Sequence, residues 1–549
     1  MDRDIQYGDQ LNDVQKDLVR QAFHEVDNNK SFRGLCLNMP MGCGKTRTMS
    51  VIGVNLYRCF LVVCSKTLLG NWANELRKVF GDKIKFEIVH RDYQGAGLNT
   101  WIRGKNTRVV LTTSEMICRS YRYHNLQNSF VYKRDKVNHY RVPRIPLGPK
   151  GQNGPEQFHS IEWEGVVIDE SQNYTNSKTL YCHAISALCC KHRWLLSGTP
   201  LQEPSVERVL GFFMLLNQTS PDNLPEVRRW MSGGRFPGLA DFSLCCAAPN
   251  IESRLVQHEE IYEMSLFERR IYLMLRSVVL EWFEYYKQQR SRDAAEEVLR
   301  KIRGHLLSLL TYLRMSLVSP SKAMESFLAK IEREDTLKGL GDKIESYREL
   351  FKDIPKTKGS SRLTVLKKVL DRHKDRKILV FGSFLSSLDM TIDYFTTKGE
   401  ERCIELLVSD MSSKEREECL DRFRSSDNGV LFMTYQIGSE GLNLQEATVV
   451  VYLDLYWNNG KQQQALARSY RTGQKADQVD EYQIISNTGF EHGLLQKHRE
   501  KLRLLRHIKN GDGDGSKITS MTYSDMVSLL ERDDIHASVQ QLRDELRIE

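Results

Sequence analysis

The chain predicts an α/β fold in which two parallel sheets, each covered by helices on both faces, are separated by a helical stretch. Three observations carry that expectation. Short runs that are apolar on both faces alternate with segments of helical period in the first two hundred or so residues, the same alternation resumes near residue 377, and apolar residues recur every three and four positions from about 255 to 320. Strands apolar on both faces belong to parallel sheets buried between helices, whereas half-exposed strands alternate. At 549 residues the chain exceeds what one core supports, and two to four domains are expected.

Taken in order, LNDVQKDLVRQAFHEV (11–26) has helical period, and GLCLNM (34–39) is an apolar run that ends on a glycine-containing loop. CFLVVCS (59–65), TRVVLTT (107–113), GVVIDE (165–170) and HRWLLSG (192–198) are further runs of strand length. Two helical patterns follow, EMSLFERRIYLMLRSVVLEWFEYYKQQ and LRKIRGHLLSLLTYLRMSLV, and then a highly charged stretch over 321–360 that ends in PKTKGSS and reads as a linker. The second set of strands is KILVFGSF (377–384), IELLVS (404–409), GVLFMTY (429–435) and ATVVVYLD (447–454). NGDGDGS near 512 marks a loop before a short tail. It is not an EF-hand, because the sixth and twelfth positions counted from Asp512 are Lys517 and Tyr523, where glycine and glutamate are required.

Bulk properties exclude several classes. A hydrophobic fraction of 40% is enough for globular packing, no run of about 18 apolar residues predicts a membrane span, and the polar start MDRDIQYGDQ lacks the apolar core of a secretory signal. Twelve cysteines without CxxC spacing read as reduced thiols rather than a zinc site or a disulfide framework. The net charge of +8 is unevenly spread: residues 101–150 hold eleven lysines and arginines against Glu115 and Asp135, interleaved with Tyr121, Tyr123, Tyr132 and Tyr140. That pattern suits either a phosphate backbone or a solvated loop.

Three groups carry chemistry. In the loop Met41-Gly42-Cys43-Gly44-Lys45-Thr46, glycines let backbone N–H groups curl around phosphate oxygens. Lys45 would neutralise the β- and γ-phosphates, and the Thr46 hydroxyl would ligate Mg²⁺. The full phosphate-loop pattern has a further glycine where Met39 stands. The pair Asp169-Glu170 ends the strand GVVI and suits a metal-holding carboxylate beside a water-polarising one. In QALARSYR (464–471), Arg468 and Arg471 are three residues apart, which on a helix places both guanidinium groups on one face, where they would neutralise γ-phosphate charge.

With these groups the chain resembles the Snf2-family ATPases of helicase superfamily 2, over most of residues 8–507. LNDVQ carries Gln15 where the family reads adenine, and MGCGKT resembles motif I. LVVCSKTLLGNWANE (61–75), with Trp72 and Glu75, resembles motif Ia, and LTTSEM (111–116) resembles motif Ib. WEGVVIDESQNYTN (163–176) and LLSGTPLQ (195–202) resemble motifs II and III. SSRL with KILVFGSF resembles motif IV, while GSEGLNLQEAT (438–448), YWNN (456–459) and QALARSYRTGQK (464–475) resemble motifs V and VI. LLTYLRMSLVSP (309–320) resembles the helical protrusion that Snf2 proteins carry between lobes. Departures are DESQ in motif II, Glu203 after GTPLQ, Asn459 after WN, Gln436 in motif V, and Met39-Pro40 before motif I. None removes a phosphate, metal or arginine group, although the coupling role of motif II falls to Gln172.

The resemblance implies two RecA-like lobes with inserted helical protrusions: lobe 1 over 1–215, protrusions and linker over 216–356, lobe 2 over 357–510 and a tail over 511–549. It implies ATP and Mg²⁺ bound by Gln15, Met41, Gly42, Cys43, Gly44, Lys45, Thr46, Asp169 and Gly441, with Glu170, Arg468 and Arg471 completing the catalytic set. It also implies translocation on double-stranded DNA, remodelling of nucleosomes or other DNA-bound proteins in transcription or repair, and a location in a nucleus. No chromodomain, bromodomain or RING pattern accompanies the motor, and compact motors of this kind occur in large DNA viruses, the baculovirus global-transactivator type included; for such a chain the location is a host nucleus or viral replication site. Thr112, Thr113 and Ser114 are candidate hydroxyl donors to DNA phosphate, and the basic stretch 119–150 is a candidate further contact. The sequence leaves open a strand-separating DNA or RNA helicase, and a transcription-regulating scaffold switched by ATP.

Overall fold

Apolar runs become strands here because both their faces are covered. In the computed structural model, residues 4–29, 32–40, 42–91, 107–127, 158–200, 205–216, 225, 242–245, 251–333, 359–438, 442–457, 459–510 and 528–530 are described. The chain forms two compact units, residues 1–250 with 501–520 and residues 251–500 with 521–549.

The first unit is built on seven strands: β1 (Gly34–Asn38), β2 (Phe60–Cys64), β3 (Lys85–Val89), β4 (Thr107–Thr113), β5 (Trp163–Ile168), β6 (Cys190–Ser197) and β7 (Ser243–Cys245). Their order is β3-β4-β2-β5-β6-β1-β7, and every pairing is parallel. The helices are α1 (Asp13–Asn28), α2 (Lys45–Leu56), α3 (Lys66–Phe80), α4 (Ser114–Gln127), α5 (Leu180–Ser186) and α6 (Val206–Leu215). Strand β2 shows why the run is apolar throughout. Phe60, Val62 and Cys64 enter one core with residues of α1, α2 and α3, and Leu61 and Val63 enter another with residues of α4, α5 and α6. Each such side chain taken out of water contributes roughly 1.5–3 kcal/mol.

Arg193, on β6, is fully buried, and its guanidinium donates to the carbonyls of Ser186 (3.3 Å), Leu188 (2.7 Å), Met214 (3.3 Å) and Leu215 (3.3 Å). These carbonyls lie at the carboxyl ends of α5 and α6, where a helix has acceptors without intrahelical donors and a negative dipole end. One side chain therefore closes two helices onto the sheet.

The second unit holds β8 (Arg254–Tyr262), β9 (Ile378–Gly382), β10 (Ile404–Leu407), β11 (Val430–Thr434), β12 (Val449–Tyr452) and β13 (Gln478–Ser486), ordered β10-β11-β9-β12-β13-β8 and again all parallel. Its helices are α7 (Leu266–Ser291), α8 (Glu296–Ser316), α9 (Pro320–Arg333), α10 (Ser361–Arg372), α11 (Leu385–Thr397), α12 (Ser413–Ser425), α13 (Tyr435–Gly438), α14 (Asn459–Leu466) and, up to residue 500, α15 (Gly489–Asn510), whose remainder is counted with the first unit. Helices α7 to α9 are the expected helical stretch. They share a core with Leu455, Ile485, Phe490 and Leu494, so they pack onto the second sheet.

Strand β8 is not among the runs read from the sequence. It borders the sheet beside β13 and is followed directly by α7, so the second unit begins before the helical stretch. The SSRL segment is part of the same joint. Arg362 is fully buried and forms an ion pair with Glu491, while its other nitrogens donate to Tyr262 Oη (2.9 Å) and the Leu453 carbonyl (2.7 Å). Ser361 donates from its backbone N–H (2.6 Å) and its hydroxyl (2.5 Å) to Glu268 of α7. Motif IV thus fastens β8, α7 and α10 to the second sheet.

Candidate active site

In a parallel sheet the strand carboxyl ends share one edge, and ligands bind there. Adjacent strands β5, β6 and β1 bring three of the sequence motifs to that edge. After β1 the chain enters the phosphate loop. Gly42 (φ 82°) and Gly44 (φ 77°) take left-handed backbone, and Gly44 caps the amino end of α2, whose first residues are Lys45 and Thr46. A Cβ on Gly44 would also lie 2.5 Å from Gln15 Nε2, so only glycine fits. The first N–H groups of α2 have no acceptor within the helix and, with its dipole, favour an anion. Lys45 Nζ donates to the Met39 carbonyl at 3.4 Å, which keeps the ammonium on the loop.

Gln15 is held at both ends of its amide. Its Nε2 donates to the Cys43 carbonyl at 2.9 Å, and its Oε1 accepts from the Asn12 N–H at 3.1 Å in a capping box that starts α1. The side chain braces the phosphate loop. Met41 and Gly441 lie outside the described residues.

Asp169 follows the last residue of β5, and its N–H donates to the Val63 carbonyl at 2.9 Å, continuing the ladder by one residue. Both carboxylate oxygens are engaged: Oδ2 accepts from Trp72 Nε1 at 2.8 Å and Oδ1 from the Glu170 N–H at 2.8 Å. Burial and the neighbouring Glu170 charge push the Asp169 carboxyl up to about 6, against the pull of Trp72 and Lys45. Glu170 sits in left-handed backbone (φ 47°), a strained conformation for a non-glycine residue. Its Oε2 accepts from Gln172 Nε2 at 2.5 Å, and Gln172 Oε1 accepts from Ser197 Oγ at 2.6 Å. Ser197 Oγ also accepts from the Thr199 N–H at 3.0 Å. Gln172 therefore joins motif II to motif III by direct hydrogen bonds.

This donor set fits Mg²⁺. The ion favours hard oxygen ligands and is bound through few carboxylates, and two adjacent carboxyl groups beside a lysine, one raised toward neutrality by burial and its neighbour's charge, form a pair that a divalent cation would relieve. Among the described residues no group of three or more histidine, cysteine, aspartate or glutamate side chains is gathered to hold a metal ion, so the Asp169-Glu170 pair would have to be completed by Thr46 and by the phosphate oxygens.

In the second unit the expected arrangement of the arginines is corrected. Helix α14 stops at Leu466, so Arg468 and Arg471 lie beyond it in turns and do not share a helical face. Competing hydrogen bonds end the helix: Ser469 Oγ donates to the Ala447 carbonyl (2.6 Å), and Gln474 Nε2 donates to the carbonyls of Gln445 (2.9 Å) and Ser469 (3.0 Å). Arg468 is buried and donates from Nε to the Gly438 carbonyl at 2.6 Å; Arg471 is partly exposed.

A family profile described as SNF2-related domain matches residues 15–278, and one described as Helicase conserved C-terminal domain matches residues 361–473. The chain belongs to the Snf2 family of helicase-like ATPases. Curated Snf2 relatives include the putative helicase 172L of Invertebrate iridescent virus 6, 26% identical over 87% of this chain and 85% of the relative. The DNA repair and recombination protein RAD54 of Saccharomyces cerevisiae is 24% identical over 93% of this chain and 57% of its own. Protein CHROMATIN REMODELING 5 of Arabidopsis thaliana is 25% identical over 85% of this chain, which spans only 25% of that protein. Among solved structures, the Sulfolobus solfataricus SWI2/SNF2 ATPase core in complex with dsDNA is 19% identical over 97% of this chain and 98% of that one, with a TM-score of 0.35.

Within this Snf2 chain the hydroxyls expected to meet DNA phosphate are placed otherwise. Thr112, Thr113 and Ser114 are all buried, and Thr112 Oγ1 donates to the Val89 carbonyl at 2.9 Å. Thr112 and Thr113 are buried because β4 lies inside the sheet between β3 and β2, and Ser114 is the residue that opens α4 directly after it. Of the basic stretch 119–150, residues beyond 127 lie outside the described set. The resemblance to motif Ia located Trp72 and Glu75 without assigning them a role. Trp72 reaches Asp169, and Glu75 Oε1 accepts from Arg47 Nε at 2.6 Å, one residue past Thr46.

Proposed function

We propose that the chain is a Mg²⁺-dependent ATPase that translocates on double-stranded DNA and remodels protein–DNA complexes in transcription or repair, in a nucleus or at a viral replication site. The observation that carries the hydrolytic part is the carboxyl edge of the first sheet, where the phosphate loop follows β1, the held Asp169-Glu170 pair follows β5, and Gln172 joins Glu170 to Ser197 at the end of β6.

Each residue has a chemical part in this reading. The loop N–H groups and Lys45 bind the β- and γ-phosphates, and Gln15 supports the loop while serving as the family's adenine contact. Thr46 and Asp169 would hold Mg²⁺, which when bound supplies positive charge against the phosphate oxygens. Glu170 orients the attacking water and takes its proton, with Gln172 fixing the carboxylate. Arg468 and Arg471 would offset negative charge that develops on the γ-phosphate. Met41 and Gly441 complete the proposed nucleotide contacts. Duplex DNA, with nucleosomes or other bound proteins, is the substrate on which the work is done; the names of the remodelling and repair relatives support this reading.

The test is ATP turnover measured without nucleic acid and with duplex DNA, single-stranded DNA or RNA, beside Lys45→Ala and Glu170→Gln. Stimulation by duplex is expected, with a loss of at least about a hundredfold in Glu170→Gln. Stimulation by single strands or RNA alone would favour a strand-separating helicase, and no turnover under any condition would favour an ATP-switched scaffold.

A further inference from the structure

Helix α3 meets both halves of the phosphate edge through one of its faces. Trp72 and Glu75 are three residues apart and so lie on the same side of the helix. Trp72, 1% exposed, donates its only polar hydrogen to Asp169 Oδ2 at 2.8 Å. Glu75 pairs at 2.6 Å with Arg47, in the first turn of α2, directly after Lys45 and Thr46. The helix is otherwise seated by Leu69, Ala73, Leu76, Val79 and Phe80 in the core shared with α1 and α2.

Tryptophan is a costly way to fill that core position, because a buried indole N–H needs an acceptor. Here the acceptor is the proposed metal carboxylate. With Glu170's N–H already on Oδ1, the indole removes the remaining rotational freedom of the group, leaving each oxygen one lone pair for a ligand. Partners of this kind orient metal ligands, and their loss typically costs about 10–100-fold in metal affinity.

We infer that Trp72 is a positioning residue for Mg²⁺·nucleotide: its indole N–H fixes the Asp169 carboxylate, and the Glu75–Arg47 pair locks the same helix face to the phosphate-loop helix, so that carboxylate and loop are held in one register. This rests on the nucleotide-binding reading above. It assigns α3 a part in metal-dependent binding, and movement of α3 would be felt at both Asp169 and α2.

The test is equilibrium binding of a fluorescent, non-hydrolysable ATP analogue to the full chain, titrated with Mg²⁺ and, separately, in EDTA. Trp72→Phe keeps the aromatic packing and removes the N–H. It is expected to need roughly tenfold more Mg²⁺ for half-maximal enhancement of binding, with affinity in EDTA unchanged. Glu75→Gln is expected to shift the same midpoint about threefold. A melting curve on each variant checks folding, and Trp72→Tyr serves as a second variant should Trp72→Phe unfold. An unchanged Mg²⁺ midpoint in a folded variant overturns the inference, as does an equal loss with and without Mg²⁺, which marks a packing role alone. Absence of Mg²⁺-enhanced binding in the unaltered chain overturns the nucleotide-binding reading itself, and the inference with it.

Discussion

Asp169 shows what a buried carboxylate costs the fold. Burial and the Glu170 charge raise its pKa to about 6 from an ordinary value near 3.8. A carboxyl with a raised folded pKa takes up protons more readily folded than unfolded. Its stability contribution is therefore complete below the unfolded value, falls as pH rises between about 4 and 6, and remains lost above that. Asp169→Asn should stabilise the metal-free protein at pH 7.5 by about 1–2 kcal/mol, and the gain should vanish near pH 4. Denaturant unfolding in EDTA at the two pH values checks this; a gain that does not depend on pH would mean the charge is not the cause. Gln172 makes a different case, since its side chain hydrogen-bonds Glu170 and Ser197. Gln172→Ala should lower single-turnover hydrolysis by roughly tenfold or more while leaving nucleotide affinity within about twofold. A matching loss of affinity would show that Gln172 supports binding rather than the water-orienting carboxylate.

At the level of elements, the apolar runs of the sequence correspond closely to strands: TRVVLTT is β4 residue for residue, and KILVFGSF contains β9. They were legible because alternate residues fill cores on opposite faces, as Ile378 and Val380 do on one side and Leu379 and Phe381 on the other. Strand β8 was hidden by its position. At an edge it needs to bury little, and RLVQHEEIY is mostly partly or fully exposed, with only Tyr262 buried. The turns that carry the arginines were hidden for another reason. QALARSYR has helical composition, and what stops the helix is hydrogen bonding to Ala447 and Gln445, some twenty residues and more away in sequence. The phosphate loop and Asp169-Glu170 were legible because their chemistry requires particular residue types in sequence. The contacts of Trp72 and Arg193 were not, since a tryptophan or an arginine in a helical or apolar run does not say what it will face. Arg193 also allows a strong prediction. Arg193→Met leaves four helix-end carbonyls without that donor and should cost about 3–5 kcal/mol in denaturant unfolding of the full chain. A cost under about 1 kcal/mol would mean that water or neighbouring groups satisfy those carbonyls.

Over the whole molecule, the two units have separate hydrophobic cores, with the Arg193 clasp in the first and the Arg362–Glu491 pair in the second. Two calorimetric transitions are expected, one lowered by Arg193→Met and the other by Arg362→Ala. With the transitions assigned in this way, the reach of the nucleotide can be measured. A ligand stabilises whatever it binds in proportion to the logarithm of its saturation, about 2.7 kcal/mol at a hundredfold excess over Kd. In a Glu170→Gln background, where ATP persists, Mg²⁺·ATP binding to the phosphate loop alone should raise only the first transition. If Arg471 also engages the γ-phosphate, both transitions should rise, and adding Arg471→Ala should return the second to its ligand-free temperature while the first stays raised. The same Arg471→Ala change in the otherwise unaltered chain should lower turnover by about a thousandfold, the low end of what an arginine aimed at a transferring phosphoryl group contributes. A second transition that still rises in Arg471→Ala would remove that arginine from the site and leave the second unit's nucleotide contact to other residues.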